Sequence, residues 1–335
     1  MSGHPMPAEA AINAELSNYA VALFYANKDM IANVIAPVIP VEKNPGDYHV
    51  LTPIEGKNVN HETAIPHGGV ATELNFNICK STYSTSQYGK RHYYGDREQA
   101  MSSPSVREYR KGVEFILENL AIEREDKVAD IILEEDSYYA ADADNPHWFA
   151  ADAAWDTDDA NPYHDIKRAR RSIALHSGRS ANTLVVPPKT YDAMCDNEKF
   201  IDILKGLYGL EYMQTGKLPN PLFGLNVVVA GAVFNENPPL ETASLQFLWE
   251  SSTRDAGDDW AWVGYVDSGP SLMTSAMVVQ FAFNNQLISD QDIVTVREYY
   301  QDDVQGMWYE ARTDYDIKLS NNRAGAIITD TVAAS

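Results

Sequence analysis

His61 and His67 frame the segment HETAIPH, where two imidazoles and a carboxylate crowd into a short stretch. A zinc-protease motif needs two histidines one helical turn apart on a shared face. Here Pro66 breaks any helix between them, and the spacing is too wide. Metal ligation is not expected. A second candidate is the acidic run with Asp142, Asp144 and Asn145, followed by Asp156, Asp158 and Asp159. Oxygen-rich loops hold calcium, but a loop of the EF-hand kind also needs a mid-loop glycine and a closing glutamate. Neither set supplies them. These residues read as solvated carboxylates, with a weak surface calcium site as the alternative.

The motifs of nucleophilic and phosphate chemistry are missing as well. There is no GxSxG elbow, no Walker A pattern and no GxGxxG after a strand. The histidines (His4, His49, His61, His67, His92, His147, His164, His176) are scattered over loops and flanks. Cys79 and Cys195 give neither a zinc spacing nor a disulfide framework, and read as packed thiols in a reducing compartment. The basic run Lys167, Arg168, Arg170, Arg171 suits the wet face of an amphipathic helix better than a nucleic-acid contact. The expectation is therefore no catalytic residue, no cofactor, no metal and no enzyme.

The elements that would position such residues carry more information. The 335 residues, 44% apolar, suffice for a sizeable core in two subdomains. No apolar run approaches the roughly 18 residues of a membrane span. The N-terminus lacks the basic and apolar regions of a secretory signal and reads as an arm that orders on assembly. A net charge of -22 opposes a transcription factor or a single-strand coat. It does not oppose a container, whose acidic wall lets a packed polyanion slide.

Along the chain, Pro37 and Pro40 remove two donors from Ile35–Val41, which excludes a central strand there. That piece lies either along a neighbouring molecule or as a proline-rich loop of its own domain. Residues 46–100 read as a long hairpin, with turn chemistry at Glu55, Gly56, Lys57 and Asn58 and again at Pro66, His67, Gly68 and Gly69. From Thr72 to Tyr83, Leu74, Phe76 and Ile78 alternate with Glu73, Asn75 and Asn77, the period of a half-buried strand. Such a ribbon is marginal alone and needs a surface to lie on.

Residues 103–136 form the clearest helix, capped by Ser103 with Pro104 in its first turn. Val106, Val113, Ile116, Leu117, Leu120, Val128, Ile131 and Ile132 make one stripe along a rod of about 45 Å. Gly112 costs about 1 kcal/mol. Arg107, Arg110 and Lys111 at the start, and Glu134, Glu135 and Asp136 at the end, oppose the helix dipole. Either an outside partner or tolerant tertiary packing accounts for that. After an acidic loop, Asn161 and Pro162 open a second helix ending at Gly178, with Ile166, Ala169, Ile173 and Ala174 inside. A strand at 183–186, helices at 189–195 and 197–207, and a glycine- and proline-rich stretch at 206–224 follow. Leu225–Val233 reads as a central strand, and the chain from Ser244 onward is mostly strands.

Three phrases carry a resemblance: NTLVVPPKTYDAM (182–194), LFGLNVVVAGAVF (222–234) and NNRAGAIITDTV (321–332). With the proline-bearing arm, the hairpin and the helix opening at SPSV before them, their order is similar to the major capsid proteins of tailed double-stranded DNA bacteriophages. The resemblance covers about residues 20–332. It implies an α+β, Hong Kong 97-like capsid fold. Its parts would be an N-terminal arm (1–45), an extended β-hairpin loop (46–100), a peripheral domain with the spine helix (101–160, helix 103–136), an axial domain (161–290) and returning peripheral strands (291–335). It further implies hexamers and pentamers of an icosahedral shell around double-stranded DNA, in a virion assembled in the host cytoplasm. Separate scaffolding, portal and decoration proteins would be partners, and the packaged DNA would be touched non-specifically, with no membrane. Contacts between copies would fall on Pro37, Pro40, Glu55, Gly56, Lys57, His67 and Gly68. Arg107, Arg110 and Lys111 would act as inner-face or assembly charges. The chain departs from relatives with a long scaffolding region ahead of the arm, and no motif ties Lys57 to Asn321 or Asn322 as in crosslinking relatives. An encapsulin-like compartment of the same fold, or an α+β enzyme or binding protein, are the other readings.

Overall fold

Alternating apolar residues in the last third of the chain lead straight to its main sheet. The computed structural model describes residues 11–12, 30–50, 65, 67–70, 79–101, 108–140, 144–215, 218–235, 244–251, 253–269, 271–283 and 294–333. In chain order come β1 (Ala11–Ile12), α1 (Ala32–Ile35), β2 (Val38–Val41), β3 (Gly46–Val50), β4 (Cys79–Tyr83), β5 (Ser86–Gly95), α2 (Asp96–Met101) and α3 (Glu108–Ile132). Then follow β6 (Trp148–Ala150), α4 (Pro162–Ser177), β7 (Thr183–Val186), α5 (Pro188–Asp196), α6 (Glu198–Thr215), β8 (Asn226–Val229), β9 (Val233–Asn235) and β10 (Leu245–Phe247). The last elements are β11 (Trp260–Gly264), β12 (Met273–Thr274), β13 (Val278–Phe283), β14 (Val294–Gln301), β15 (Gly306–Leu319) and β16 (Gly325–Thr329).

The 14-residue strand β15 organises a six-stranded sheet. It pairs antiparallel with β14, β13 and β5, while β2 adds in parallel beyond β13 and β1 beyond β14. Tyr309, Ala311 and Val296 point to one face, where Val113, Ile116, Leu117 and Leu120 of α3 close a core. The lower turns of α3 (Val128, Ala129, Ile132) enter a second core with Trp249, Trp260 and Trp262. Helix α3 has 25 residues, a rod of about 37 Å. It stops earlier than the sequence pattern implied, because Glu134 is extended and Glu135–Ser137 form a short 3-10 turn. Glu135 and Asp136 thus open a new turn, where negative charge is favourable, and do not close the old one. Ser103, Pro104, Val106 and Arg107 lie outside the described residues. Gly112 has a packing reason: a Cβ there would stand 2.5 Å from His92 Cδ2 of β5.

A five-stranded sheet runs in the order β6-β16-β11-β7-β8. Every residue of its central strand β11 is buried. Gly264 and Gly325 pair across β11 and β16, and both lie against Trp262; a Cβ on Gly325 would come 2.9 Å from Trp262 Nε1. Helix α4 covers this sheet through Ile166, Ala169 and Ile173. It starts at Pro162 and ends before Gly178, whose φ of +71° suits glycine. Asn161 makes no side-chain cap, and Ala174 is exposed while Asp165 and Ser172 take buried positions.

Three other expectations change. Helix α6 runs to Thr215 through Gly206, because Asn197 Oδ1 caps the Phe200 amide at 2.9 Å and Phe200 and Leu204 anchor its face. The apolar run 225–233 is not a central strand: β8 is the sheet edge, parallel to β7, and β9 leaves to pair with β10. The ribbon begins as β3 against β4, with β12 beside β3, and Tyr48 and Tyr83 pack on Phe281 of β13. Residues 51–64, 66 and 71–78, with the alternation from Thr72, lie outside the described residues. Strand β5 belongs to the main sheet and not to the ribbon. The chain also crosses between sheets late: β13 precedes position 290 yet sits beside β15, and β16 returns to the five-stranded sheet.

Candidate functional site

Helix α3 turns Arg124 and Glu125 towards the segment 30–36, and these two side chains hold it. Glu125, 1% exposed, accepts hydrogen bonds from the amides of Ile31 and Ala32 and from Trp249 Nε1, each at 2.8 Å. The two amides start α1, where no intrahelical acceptor exists and negative charge is favoured. Burial raises the Glu125 carboxyl above its ordinary range, against the pull of these donors and of Arg124. Arg124 donates to Gln280 Oε1 and, at 2.6 Å, to Asn33 Oδ1. Gln280 Nε2 donates to the carbonyls of Ala32 (3.0 Å) and Ala36 (2.8 Å), and the Gln280 amide to that of Pro37 (3.1 Å). Sequence reasoning placed none of these residues, although a Glu and an Arg inside an apolar stripe were the available signal.

This clasp fixes residues 30–37 against the body of the same chain. Ile31, Ala32, Ile35, Ala36, Ile39 and Val41 are buried in their own chain. Residues 30–41 pack on their own chain as α1 and the edge strand β2, and not as a loop. Pro37 is buried, and Pro40 is exposed on the edge strand β2, where a missing donor is tolerated. His67 and Gly68 lie in an exposed turn, with Gly68 at φ +85°. Glu55, Gly56, Lys57 and Arg107 lie outside the described residues. Arg110 is in α3, and Lys111 next to it is exposed.

The candidate chemistry does not converge. Asp144, Asp156, Asp158 and Asp159 are all exposed, and Asp156 accepts from the Ala333 amide at 3.0 Å. Lys167, Arg170 and Arg171 of α4 line an open hollow of about 330 Å³ with Tyr163 and Ser180, and Arg170 is tied to the Phe223 carbonyl at 3.0 Å. A grouping the motifs missed is Asp152, His164 and Asp165, whose ligand atoms lie within 4.8 Å. There His164 Nδ1 meets Asp152 at 3.3 Å, Arg168 meets Asp152 at 3.6 Å, and Trp155 Nε1 donates to Asp165 at 2.9 Å. Burial pushes the Cys195 thiol up to about 11, the opposite of an activated nucleophile.

Among the described residues, buried His147 is the most perturbed imidazole. Its Nδ1 lies 2.7 Å from the Gly325 carbonyl, so it donates there, and its Nε2 lies 3.0 Å from His176 Nδ1. His176 Nδ1 also lies 3.0 Å from the Ser172 carbonyl, so it too carries a hydrogen and His147 Nε2 accepts. Burial first, then the neighbouring His176 and Arg323, lower His147 to about 4.

No family model matches the chain. It is 24% identical over 250 residues to the major capsid protein of Pseudomonas phage JBD67, covering 74% of this chain and 76% of that protein. Among solved structures it is similar to a phage-related protein of Bordetella bronchiseptica RB50, with TM-score 0.68 and 19% identity over 98% of this chain and 100% of that one. A chain of the capsid structure of cyanophage P-SCSP1u gives TM-score 0.53 and 11% identity over 100% and 92% of the two chains. The SrpI encapsulin of Synechococcus elongatus PCC 7942 gives TM-score 0.51 and 12% identity over 92% and 89%. The chain has the α+β, Hong Kong 97-like fold of phage capsid proteins and related shells.

Proposed function

We propose that this chain is the major capsid protein of a tailed double-stranded DNA bacteriophage, a structural subunit and not an enzyme. It assembles as hexamers and pentamers into the icosahedral shell of the virion, in the cytoplasm of the host. The observation that carries this reading is the capsid fold over nearly the whole chain, together with similarity to a phage major capsid protein over three quarters of it. The pairing of β3 with β4, with β12 beside β3, brings Val50 and Cys79 together at the ends of the segment between them, which supports this reading. On this reading Pro40, His67, Gly68 and the turn at Glu55, Gly56 and Lys57 meet other copies. Pro37, buried in its own chain, holds Pro40 in place for that contact. Arg107, Arg110 and Lys111 serve assembly or face the packaged DNA, and scaffolding, portal and decoration proteins are separate chains. The net charge of -22 suits a wall along which DNA slides.

The encapsulin likeness favours a second reading, a compartment shell of the same fold. Nuclease treatment of particles purified from the producing cell separates the two. Protected double-stranded DNA inside them is the expected result. Particles that enclose protein and no DNA would overturn the viral reading and leave the compartment.

A further inference from the structure

Strand register places two rows of side chains on the face of the main sheet turned away from α3. Tyr93, Trp308 and Tyr299 stand side by side across β5, β15 and β14, and Arg91, Glu310 and Arg297 form the next row. Their neighbours in sequence, Tyr94, Tyr309 and Val296, face the helix. The Arg91 guanidinium lies 4.3 Å over the Trp308 ring, and Tyr93 packs on the same ring at 5.1 Å. Arg312 Nε donates to Glu310 at 2.6 Å, while Arg91 Nη1 reaches Tyr299 OH at 3.4 Å, so the Glu310 carboxylate is taken by Arg312. Trp308 Nε1 and Arg297 Nε are shielded from water and have no acceptor among the described residues. Donors in that state cost free energy until an acceptor arrives.

We propose that this face binds carboxylates of a second copy of the chain. The inference rests on the shell reading and names one surface that the shell uses. Tryptophan, tyrosine and arginine together are the residues that dominate the centres of protein–protein interfaces. The chain carries 48 acidic against 26 basic residues, so another copy presents mostly carboxylates to an arginine row. Nucleic acid fits less well, because a continuous polyanion laid along β15 must pass the outward carboxylates Glu310 and Asp314 on either side of Arg312. A folded partner places its carboxylates singly and avoids them.

The test compares assembly of the full chain as wild type, Arg91→Glu, the double variant Arg91→Glu with Arg297→Glu, and the double lysine variant. Sedimentation gives the assembled fraction, and melting of the unassembled subunit controls for folding. Arg91 is exposed, so its single reversal tests the face even if the double variant folds poorly. The expected result is a loss of assembled material of about tenfold or more in both glutamate variants, with partial recovery for lysine and weakening of wild-type assembly by salt. Normal particle yield from Arg91→Glu overturns the inference and leaves the capsid reading standing. Normal particles that fail only to retain DNA also overturn it, in favour of a nucleic-acid surface. Wild type that never assembles overturns the capsid reading itself.

Discussion

Glu125, in the middle of the long helix, accepts the backbone amide of Ile31 at 2.8 Å across 94 residues of sequence. That bond and its twin to Ala32 tie the start of α1 to the long helix.

Removing that anchor should be costly. Glu125→Ala leaves two backbone amides and Trp249 Nε1 buried without an acceptor. The expected loss is about 3 kcal/mol or more, seen as a lower melting temperature and faster hydrogen exchange at residues 31–41. Unchanged exchange there would show that packing of Ile31 and Ile35 alone holds the arm.

His147 gives the fold an acid-sensitive point. Its folded-state pKa of about 4 lies below the ordinary 6.5, so between these values the unfolded chain holds more protons. The stability it contributes is complete above pH 6.5 and falls as pH drops towards 4. The limit of the loss is of the order of 3 kcal/mol. His147→Asn should flatten this limb of the melting-temperature profile relative to wild type. Parallel profiles would contradict the assignment.

Two glycines of different character should respond in opposite directions to alanine. Gly325→Ala forces a Cβ against Trp262 and Met277 and should cost about 1–3 kcal/mol in a melting experiment. Gly206→Ala, on an exposed helical position with open space around it, should gain up to about 1 kcal/mol. Equal effects would mean that backbone freedom, and not the Trp262 contact, sets the value of Gly325.

Gly112 tests the same idea across two elements. Gly112→Ala gains helix propensity but meets His92, so its net gain should fall short of about 1 kcal/mol. Adding His92→Ala should recover the missing part, and a double-mutant cycle reads the coupling. Strict additivity would show that His92 yields at no cost.

Local chemistry explains what the sequence made legible. Pro162 and Gly178 bound α4 as read, and Thr183–Val186 is the strand it promised, because proline, a left-handed glycine and β-branched residues act on their own neighbours. Strands were legible from Ser244 onward, but not the full length of β15. Beyond Thr313 the residues Tyr315 and Ile317 are held by pairing with β13, a contact far away in sequence. The same holds for β8, whose apolar run gave no sign that it would lie at a sheet edge beside β7. The clasp around Glu125 was invisible because its partners lie 93 and 124 residues away, and a charged residue in an apolar stripe does not name what it binds. The resemblance supplied the architecture that spacing alone did not.

Electron microscopy of the material purified from producing cells tests the central claim most directly. Closed, uniform icosahedral particles built from this chain are the predicted result. A homogeneous population of single subunits or dimers, folded and stable at the same concentration, would contradict it.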